Sequence, residues 1–320
     1  MKKLLILMLI SISLYANIIV DIYRQNGVDG VESYIKEQLQ NKNYWNEELK
    51  NLNIEYGYYE NLDSLLVANK KAKELFIYDA SNKGLKLLSK YENVIVGANG
   101  DKYKEGDLKT PLGVYTIKKR FTPSDQFYGP LAFSLSYPNT YDKVQGKNGH
   151  GIWIHGSPID GTDRDPMSKG CIVLDNHTIS LLDQNLKYKN SIILVSENGM
   201  KKVKKSELSI ILSELFKWKE AWRKSNINTY LDFYDENFKR YDGVKKKNFS
   251  FIKKQIFSRK QKKEIIFKNI NISPYSNAQG KKLFKIAFYE IYNSKRYKFR
   301  GNKELYIELN KESFKILSER

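Results

Sequence analysis

His150-Gly151-Ile152-Trp153-Ile154-His155-Gly156-Ser157-Pro158, followed after a polar loop by Asp165-Pro166-Met167-Ser168-Lys169-Gly170-Cys171-Ile172, is the stretch on which the reading of this chain turns. All three histidines (His150, His155, His177) fall within 28 residues, and the single cysteine falls among them. A free thiol has a pKa of about 8.5, so a cysteine nucleophile needs a base within hydrogen-bond reach to form thiolate near neutral pH. His155 closes one apolar run and Cys171 opens another, which predicts neighbouring antiparallel strands whose side chains meet at one rim of a sheet. Gly170 allows close backbone approach, and the amides near Gly170 and Cys171 are candidate oxyanion donors.

The neighbouring residues each carry two readings. His150 either binds substrate or is a satisfied structural histidine, and His177 is structural or caps a helix. Trp153 is expected on the face opposite Ile152 and Ile154, either lining a cleft or packing a core. Arg164 and Lys169 stand in the loop before Cys171, where they either hold a substrate carboxylate or are solvated loop charges. A zinc site built from the three histidines and the cysteine is disfavoured, because His150 and His155 point to opposite faces of a regular strand. Neither a metal nor a cofactor is expected.

Outward from this motif, residues 74–198 read as short β runs punctuated by turns. Leu75–Tyr78 and Leu85–Leu88 flank Ser81-Asn82-Lys83-Gly84 as a hairpin. Val94–Val96, Gly113–Ile117, Ile152–Ile154, Cys171–Leu174 and Ile192–Val195 read as further strands. Thr178–Leu186 reads as a helix with Asn176 as its cap. Before this region, residues 17–73 read as helical as far as about Ala68, with Val31, Tyr34, Ile35 and Leu39 at helical spacing and Trp45, Leu49 and Leu52 following, a packing or dimerisation element. After it, 199–206 is a lysine-rich linker and 207–320 an α+β module. Leu208, Ile211, Leu212, Leu215, Trp218, Ala221 and Trp222 form one helical stripe, and a second helix is expected near Tyr230–Phe238. Strands are expected at Lys263–Ile272, Leu283–Tyr292 and Leu305–Leu309. Trp218 and Trp222, four residues apart, are read as core.

Lys2 and Lys3, the apolar run Leu4–Leu14 and Ala16 read as a signal segment over 1–16, too short to span a bilayer comfortably, so the chain is expected to be exported to the periplasm. In an oxidising compartment an unpaired cysteine needs a reason to be present, and burial or catalysis supplies one. Apolar residues make up 41% of the chain, enough for ordinary cores, which excludes a disordered polymer. Charge is uneven. Residues 1–200 carry 24 Lys and Arg against 23 Asp and Glu, whereas 201–320 carry 31 against 13, a net of +18 within a whole-chain +19. For an exported chain this points to an anionic wall polymer or phospholipid headgroups as neighbour, not nucleic acid, or to solubility alone.

The pattern His-Gly, then Ser-x-Gly-Cys-Ile, resembles the L,D-transpeptidase (YkuD-type) catalytic domain. Lys109-Thr110-Pro111-Leu112-Gly113-Val114-Tyr115-Thr116-Ile117, Gly97-Ala98 and Tyr137-Pro138-Asn139 extend the resemblance over roughly 74–197. It implies Cys171 as nucleophile on the carbonyl at the L-centre of the stem-peptide diamino acid, and His155 as base. The carbonyl of Gly156 would orient the imidazole, and Ser168 and Gly170 would shape the oxyanion loop. Two positions depart from the family pattern: Lys169 stands where His is frequent, and Val173 where Arg is usual. Trp218, Ala221-Trp222, Tyr230-Leu231, Phe233-Tyr234 and Phe238 resemble the opening helices of NTF2-like domains. Together the two parts resemble the cell-shape-determining L,D-carboxypeptidases, which implies removal of the terminal D-Ala from tetrapeptide stems. It also implies a homodimer through the N-terminal helices. The expected fold is thus a mainly β catalytic domain (a YkuD-like β-sandwich) with an N-terminal helical segment and a C-terminal α+β, NTF2-like domain. An L,D-transpeptidase that crosslinks stems, and a non-catalytic wall-binding protein with a decayed fold, are the rival readings.

Overall fold

The computed structural model describes the backbone of residues 2–320 and the side chains from Ile18 onward; the expected signal segment, 1–16, lies outside the residues whose side chains are described. Helices α1 (Lys2–Leu39) and α2 (Lys42–Glu48) precede β1 (Tyr58–Tyr59) and β2 (Ser64–Asn69). The helical reading therefore fails beyond Glu48. Leu65-Leu66-Val67-Ala68 is a short apolar run buried on both faces, and such a run looks the same in a strand as in a buried helix. It pairs in parallel with a strand more than a hundred residues later, so only long-range pairing decides its state.

The eight-stranded sheet continues with β3 (Glu74–Asp79), β4 (Lys86–Tyr91), β5 (Gly113–Phe121), β6 (Ala132–Leu135), β7 (Trp153–His155), β8 (Ile172–Val173) and β9 (Ser191–Ser196), in the order β4-β3-β2-β9-β5-β6-β7-β8. The hairpin β3–β4 is as expected, whereas Ile95 makes only an isolated bridge to Val173 in place of a strand at 94–96. Strand β5 folds the sheet onto itself. Gly113–Thr116 pair with β9, and after an irregularity between Ile117 and Lys119 its second half pairs with β6. One core fills the space between the halves, where Leu66, Ala68, Leu75 and Ile77 meet Phe133, Ile154 and Ile172. Helix α3 (Thr140–Val144) is closed by a capping box between Asn139 and Asp142. Helix α4 (Asn176–Asn185) is capped by Asp175, whose carboxylate accepts from the Thr178 amide at 2.8 Å, and not by Asn176 as expected.

The C-terminal domain lays α5 (Lys205–Arg223), α6 (Ile227–Asp232) and α7 (Lys246–Ser258) on the sheet β1-β10-β11-β12-β13, where β10 is Lys263–Tyr275, β11 Leu283–Ser294, β12 Lys298–Leu309 and β13 Phe314–Glu319. Trp218 is fully buried and stacked on Tyr230, so it belongs to the core as read. The N-terminal segment completes this domain. Trp45 of α2 stacks on Phe216 at 5.7 Å, Leu49 is buried in the same core, and β1 adds an edge strand to β10. Of the N-terminal stripe read as a packing or dimerisation element, Trp45 and Leu49, with Leu39 and Leu52 against them, pack within the chain.

The two domains are locked through Tyr275 at the end of β10. Its hydroxyl donates to Asp142 Oδ1 (3.2 Å) and accepts from Asn139 Nδ2 (3.0 Å). Lys147 bridges Asp142 (3.0 Å) and Asp101 (2.6 Å), and Asp101 accepts the Leu112 amide at 2.9 Å. Gly113 has φ +136°, and a Cβ there would lie 2.7 Å from the Tyr275 ring. Only glycine permits that approach. Tyr275→Phe withdraws a donor from the fully buried Asp142, and a loss of about 1–3 kcal/mol is expected. Urea titration followed by circular dichroism reads it; an unchanged midpoint would show the hydroxyl to be dispensable.

Candidate active site

Strands β7 and β8 are too short to stand alone and are held by the core residues between their polar ends. Ile154 and Ile172 lie opposite each other and are fully buried. By the two-residue period of a strand, Trp153, His155 and Cys171 therefore share the other face. The pairing is parallel, with His155 opposite Val173, and not antiparallel as the sequence suggested. A parallel neighbour requires a crossover, and the loop from Gly156 to Gly170 supplies one. The register places Cys171 beside Trp153 at the start of β7, two residues along the strand from His155.

His155 is completely buried, and its Nδ1 lies 2.7 Å from the Gly156 carbonyl. A carbonyl only accepts, so Nδ1 carries the proton and Nε2 presents a lone pair. That Nε2 is buried and has no hydrogen-bond partner among the described residues. Burial drives the His155 pKa down to about 4, with the Arg164 charge acting in the same direction and the Gly156 carbonyl opposing them. At neutral pH the imidazole is an uncharged base. Tyr128, at the end of the turn Gln126–Tyr128, packs edge-on against both His155 and Trp153 at 5.1 Å.

Cys171 is half-buried, with Sγ 3.5 Å from the Gly151 carbonyl. Burial pushes its thiol pKa up, while the Trp153 amide, Arg164 and Lys102 pull it back. The resting pair is thus neutral thiol and neutral imidazole, and the proton has to move when the electrophile arrives. Ser168 is buried and builds the turn. Its hydroxyl donates to the Cys171 carbonyl (2.6 Å) and accepts the Gly170 amide (3.1 Å). Gly170 has φ +124°, and a Cβ would sit 2.9 Å from the Lys109 carbonyl. Because the Gly170 N–H is committed to Ser168, the expected oxyanion role narrows to the Cys171 amide.

Arg164 stacks its guanidinium over Phe127 at 4.8 Å, and its Nε and Nη1 are buried without partners among the described residues. It is close enough to Cys171 for the two to perturb each other electrostatically. The reading of Arg164 as a solvated charge does not hold. Lys169 is exposed and takes part in no ion pair among the described residues. His150 is also exposed, 3.6 Å from Glu105, and lies outside β7, so neither a core role nor the strand-parity argument applies to it. His177 is exposed in the first turn of α4. Trp153 is half-buried on the His155 face, edge-on to Phe121 at 5.0 Å.

Sequence reasoning missed four contributors. Phe127 and Tyr128 precede Gly129-Pro130, and an aromatic pair before a turn was the one legible signal. Lys102, buried and paired with Asp107 at 2.8 Å, gave none. Asn176 accepts the Ser157 amide at 2.9 Å, fixing the chain just after His155.

Comparison with known proteins agrees with this layout. Residues 63–194 match the L,D-transpeptidase catalytic domain (YkuD) family, and residues 210–320 match the Cds6 C-terminal NTF2-like domain family. The structure is similar to that of the helical cell shape determining protein Pgp2 from Campylobacter jejuni, with TM-score 0.83 and 43% identity over 88% of this chain and 99% of that one. Bd1075 from Bdellovibrio bacteriovorus is similar at TM-score 0.64 and 26% identity, over 81% of this chain and 92% of that one. In sequence, 117 residues are 29% identical to YafK of Escherichia coli (strain K12), provisionally named an L,D-transpeptidase. That match spans 36% of this chain and 44% of YafK.

A thiol held neutral in this way should be a slow target for alkylation at pH 7. Since only thiolate reacts and burial raises the pKa, iodoacetamide labelling of Cys171 is expected to climb through the alkaline range, later than for a free thiol. Mass spectrometry across pH reads the profile. Rapid labelling already at pH 6 would instead mean a preformed thiolate–imidazolium pair.

Proposed function

Since the chain belongs to the family of the helical cell shape determining protein Pgp2, a YkuD-type catalytic domain joined to a Cds6-type NTF2-like domain, we propose that it is an exported peptidoglycan L,D-carboxypeptidase. Its substrate is the tetrapeptide stem, its product the tripeptide, and Cys171 its nucleophile. The observation that carries this reading is Arg164, a guanidinium with two buried, unpartnered nitrogens beside the reacting pair. A buried cation without a counter-charge is costly, and a carboxylate from the ligand relieves it. A tetrapeptide stem presents such a group, the terminal D-Ala carboxylate, one residue beyond the scissile carbonyl.

In the proposed reaction His155 Nε2 takes the Cys171 proton, and Sγ attacks the carbonyl carbon that precedes D-Ala. The Cys171 amide holds the developing oxyanion. The tetrahedral adduct collapses as the C–N bond breaks, and the imidazolium gives its proton to the leaving amine. Water then delivers its proton to Nε2, its oxygen forms the C–O bond, and the C–S bond breaks to return the thiol and a tripeptide acid.

An L,D-transpeptidase would share the first half and differ in using an amine as acceptor. Water is favoured by the two departures from the family motif, the exposed Lys169 and the buried, apolar Val173. The intact Cys171–His155 arrangement weighs against a purely wall-binding role. For the C-terminal domain, an anionic wall polymer is the proposed neighbour. A cavity of about 780 Å³ supports this, where Lys253, Lys303, Arg240 and Arg259 meet the rings of Trp222 and Tyr297.

Incubation of tetrapeptide muropeptides with the enzyme should give tripeptide with loss of one D-Ala, and Cys171→Ala should give none. Mass spectrometry of the products decides. Crosslinked dimers or exchanged terminal D-amino acids would make the enzyme a transpeptidase, and no Cys171-dependent change would remove the enzymatic reading for these substrates. Arg164→Gln should lower kcat/KM on tetrapeptides about 10- to 150-fold, the range for a hydrogen bond to a charged group, with Arg164→Lys in between. Unchanged kinetics would detach Arg164 from the substrate.

A further inference from the structure

A second cavity, of about 360 Å³, lies between the catalytic sheet and the C-terminal sheet. Its walls are unusual for this part of the molecule. Although the C-terminal residues carry a net +18, five amides, Asn61, Asn190, Asn269, Asn271 and Asn302, gather here with Tyr289 beside them, alongside Lys189, Lys303 and Glu304. Lys285, the buried lysine of the cleft, is neutralised by Glu304 at 2.6 Å. Reciprocal bonds between Asn61 and Asn271 continue the β1–β10 pairing along the cleft. Asn271 Oδ1 accepts the Asn61 amide (3.2 Å), and Asn271 Nδ2 donates to the Asn61 carbonyl (2.9 Å). The side chains of Asn269 and Asn302 make no hydrogen bond among the described residues, and both are exposed to the cleft. Asn269 holds φ +57° at the register shift of β10. Tyr289, half-buried, lies opposite Asn302 across β11 and β12.

Amide side chains offer a donor and an acceptor together, which suits ligands that do the same without charge, namely hydroxyl and acetamido groups. A tyrosine ring adds an apolar platform for the C–H face of a sugar. The cleft also stands at a useful distance from Cys171. Thr116 and Ile117 of β5 line it, and Phe121, four residues further along the same strand, packs against Trp153 in the catalytic cleft. Four strand residues cover about 13 Å, close to the reach of an extended stem of three or four residues.

We propose that the interdomain cleft is a subsite for an N-acetylated hexosamine, the sugar from which the stem hangs, so that saccharide and scissile bond are held at opposite ends of β5. The assignment rests on the carboxypeptidase reading for its place in the reaction, but the binding itself is independent of turnover. A neutral N-acetylglucosamine tetramer is the probe, titrated into full-length protein carrying Cys171→Ala by calorimetry. Saturable binding that high salt leaves unchanged is expected, because the probe is neutral. Tyr289→Ala combined with Asn269→Gly, which keeps the positive φ available and touches only this cleft, should weaken it about tenfold, the worth of a ring contact and a neutral hydrogen bond. In the active enzyme the same pair should raise KM for a disaccharide-tetrapeptide about tenfold and leave the free tetrapeptide unaffected. No saturable binding would overturn the proposal, as would binding that survives the double substitution, which would place the sugar outside this cleft. If wild type cleaves neither substrate, the carboxypeptidase reading falls, while the tetramer titration still decides the cleft.

Discussion

The hydrogen bond from His155 Nδ1 to the Gly156 carbonyl, 2.7 Å long and wholly buried, sets the chemistry available to this protein. It fixes the tautomer, leaves Nε2 unprotonated and without a partner among the described residues, and holds the ring at the end of a three-residue strand. Everything near it serves that geometry. Tyr128 packs against the ring, Asn176 anchors the following residue, and the fully buried Ile154 and Ile172 keep the two short strands in register. Burial without a charged partner is also what depresses the pKa of the imidazole. The same low-dielectric setting raises the thiol. The pair is thus uncharged at rest, and its reactivity is released only when a substrate carbonyl stabilises the transferred charge.

Arg164 stands out against this uncharged background. Its guanidinium disfavours protonated His155 and favours thiolate at Cys171, so it biases the proton toward leaving sulfur without remaining on the ring. A carboxylate arriving beside it would soften both effects.

The catalytic sheet and the C-terminal domain are not independent modules on a tether. Tyr275 reaches into the buried Asn139–Asp142–Lys147–Asp101 network, and Asp101 in turn holds the Leu112 amide at the entry to β5. Strand β5 passes from this contact to the aromatic cluster around Trp153. The N-terminal segment crosses the same boundary, lending β1 and α2 to the C-terminal domain before β2 enters the catalytic sheet.

The sequence alone singled out Cys171 and His155 as the candidate pair, because the chain has one cysteine and the glycine, serine and histidine spacing around it leaves little freedom. It also determined the helical stripe of α5 and most strands of the C-terminal sheet, whose apolar periodicities are long enough to be unambiguous. Tertiary structure decided the rest. Residues 65–68 became a central strand because a parallel partner lies at 192–195, and local periodicity carries no trace of such a pairing. Strands β7 and β8 run parallel because the loop crosses over, although their short apolar runs fit either direction equally well. Asp175 took the cap from Asn176, whose amide was already engaged by Ser157. Arg164 and Lys169 were equivalent as loop cations in the sequence. Burial over Phe127 separated them, and burial is a property of the folded surface that no single segment encodes.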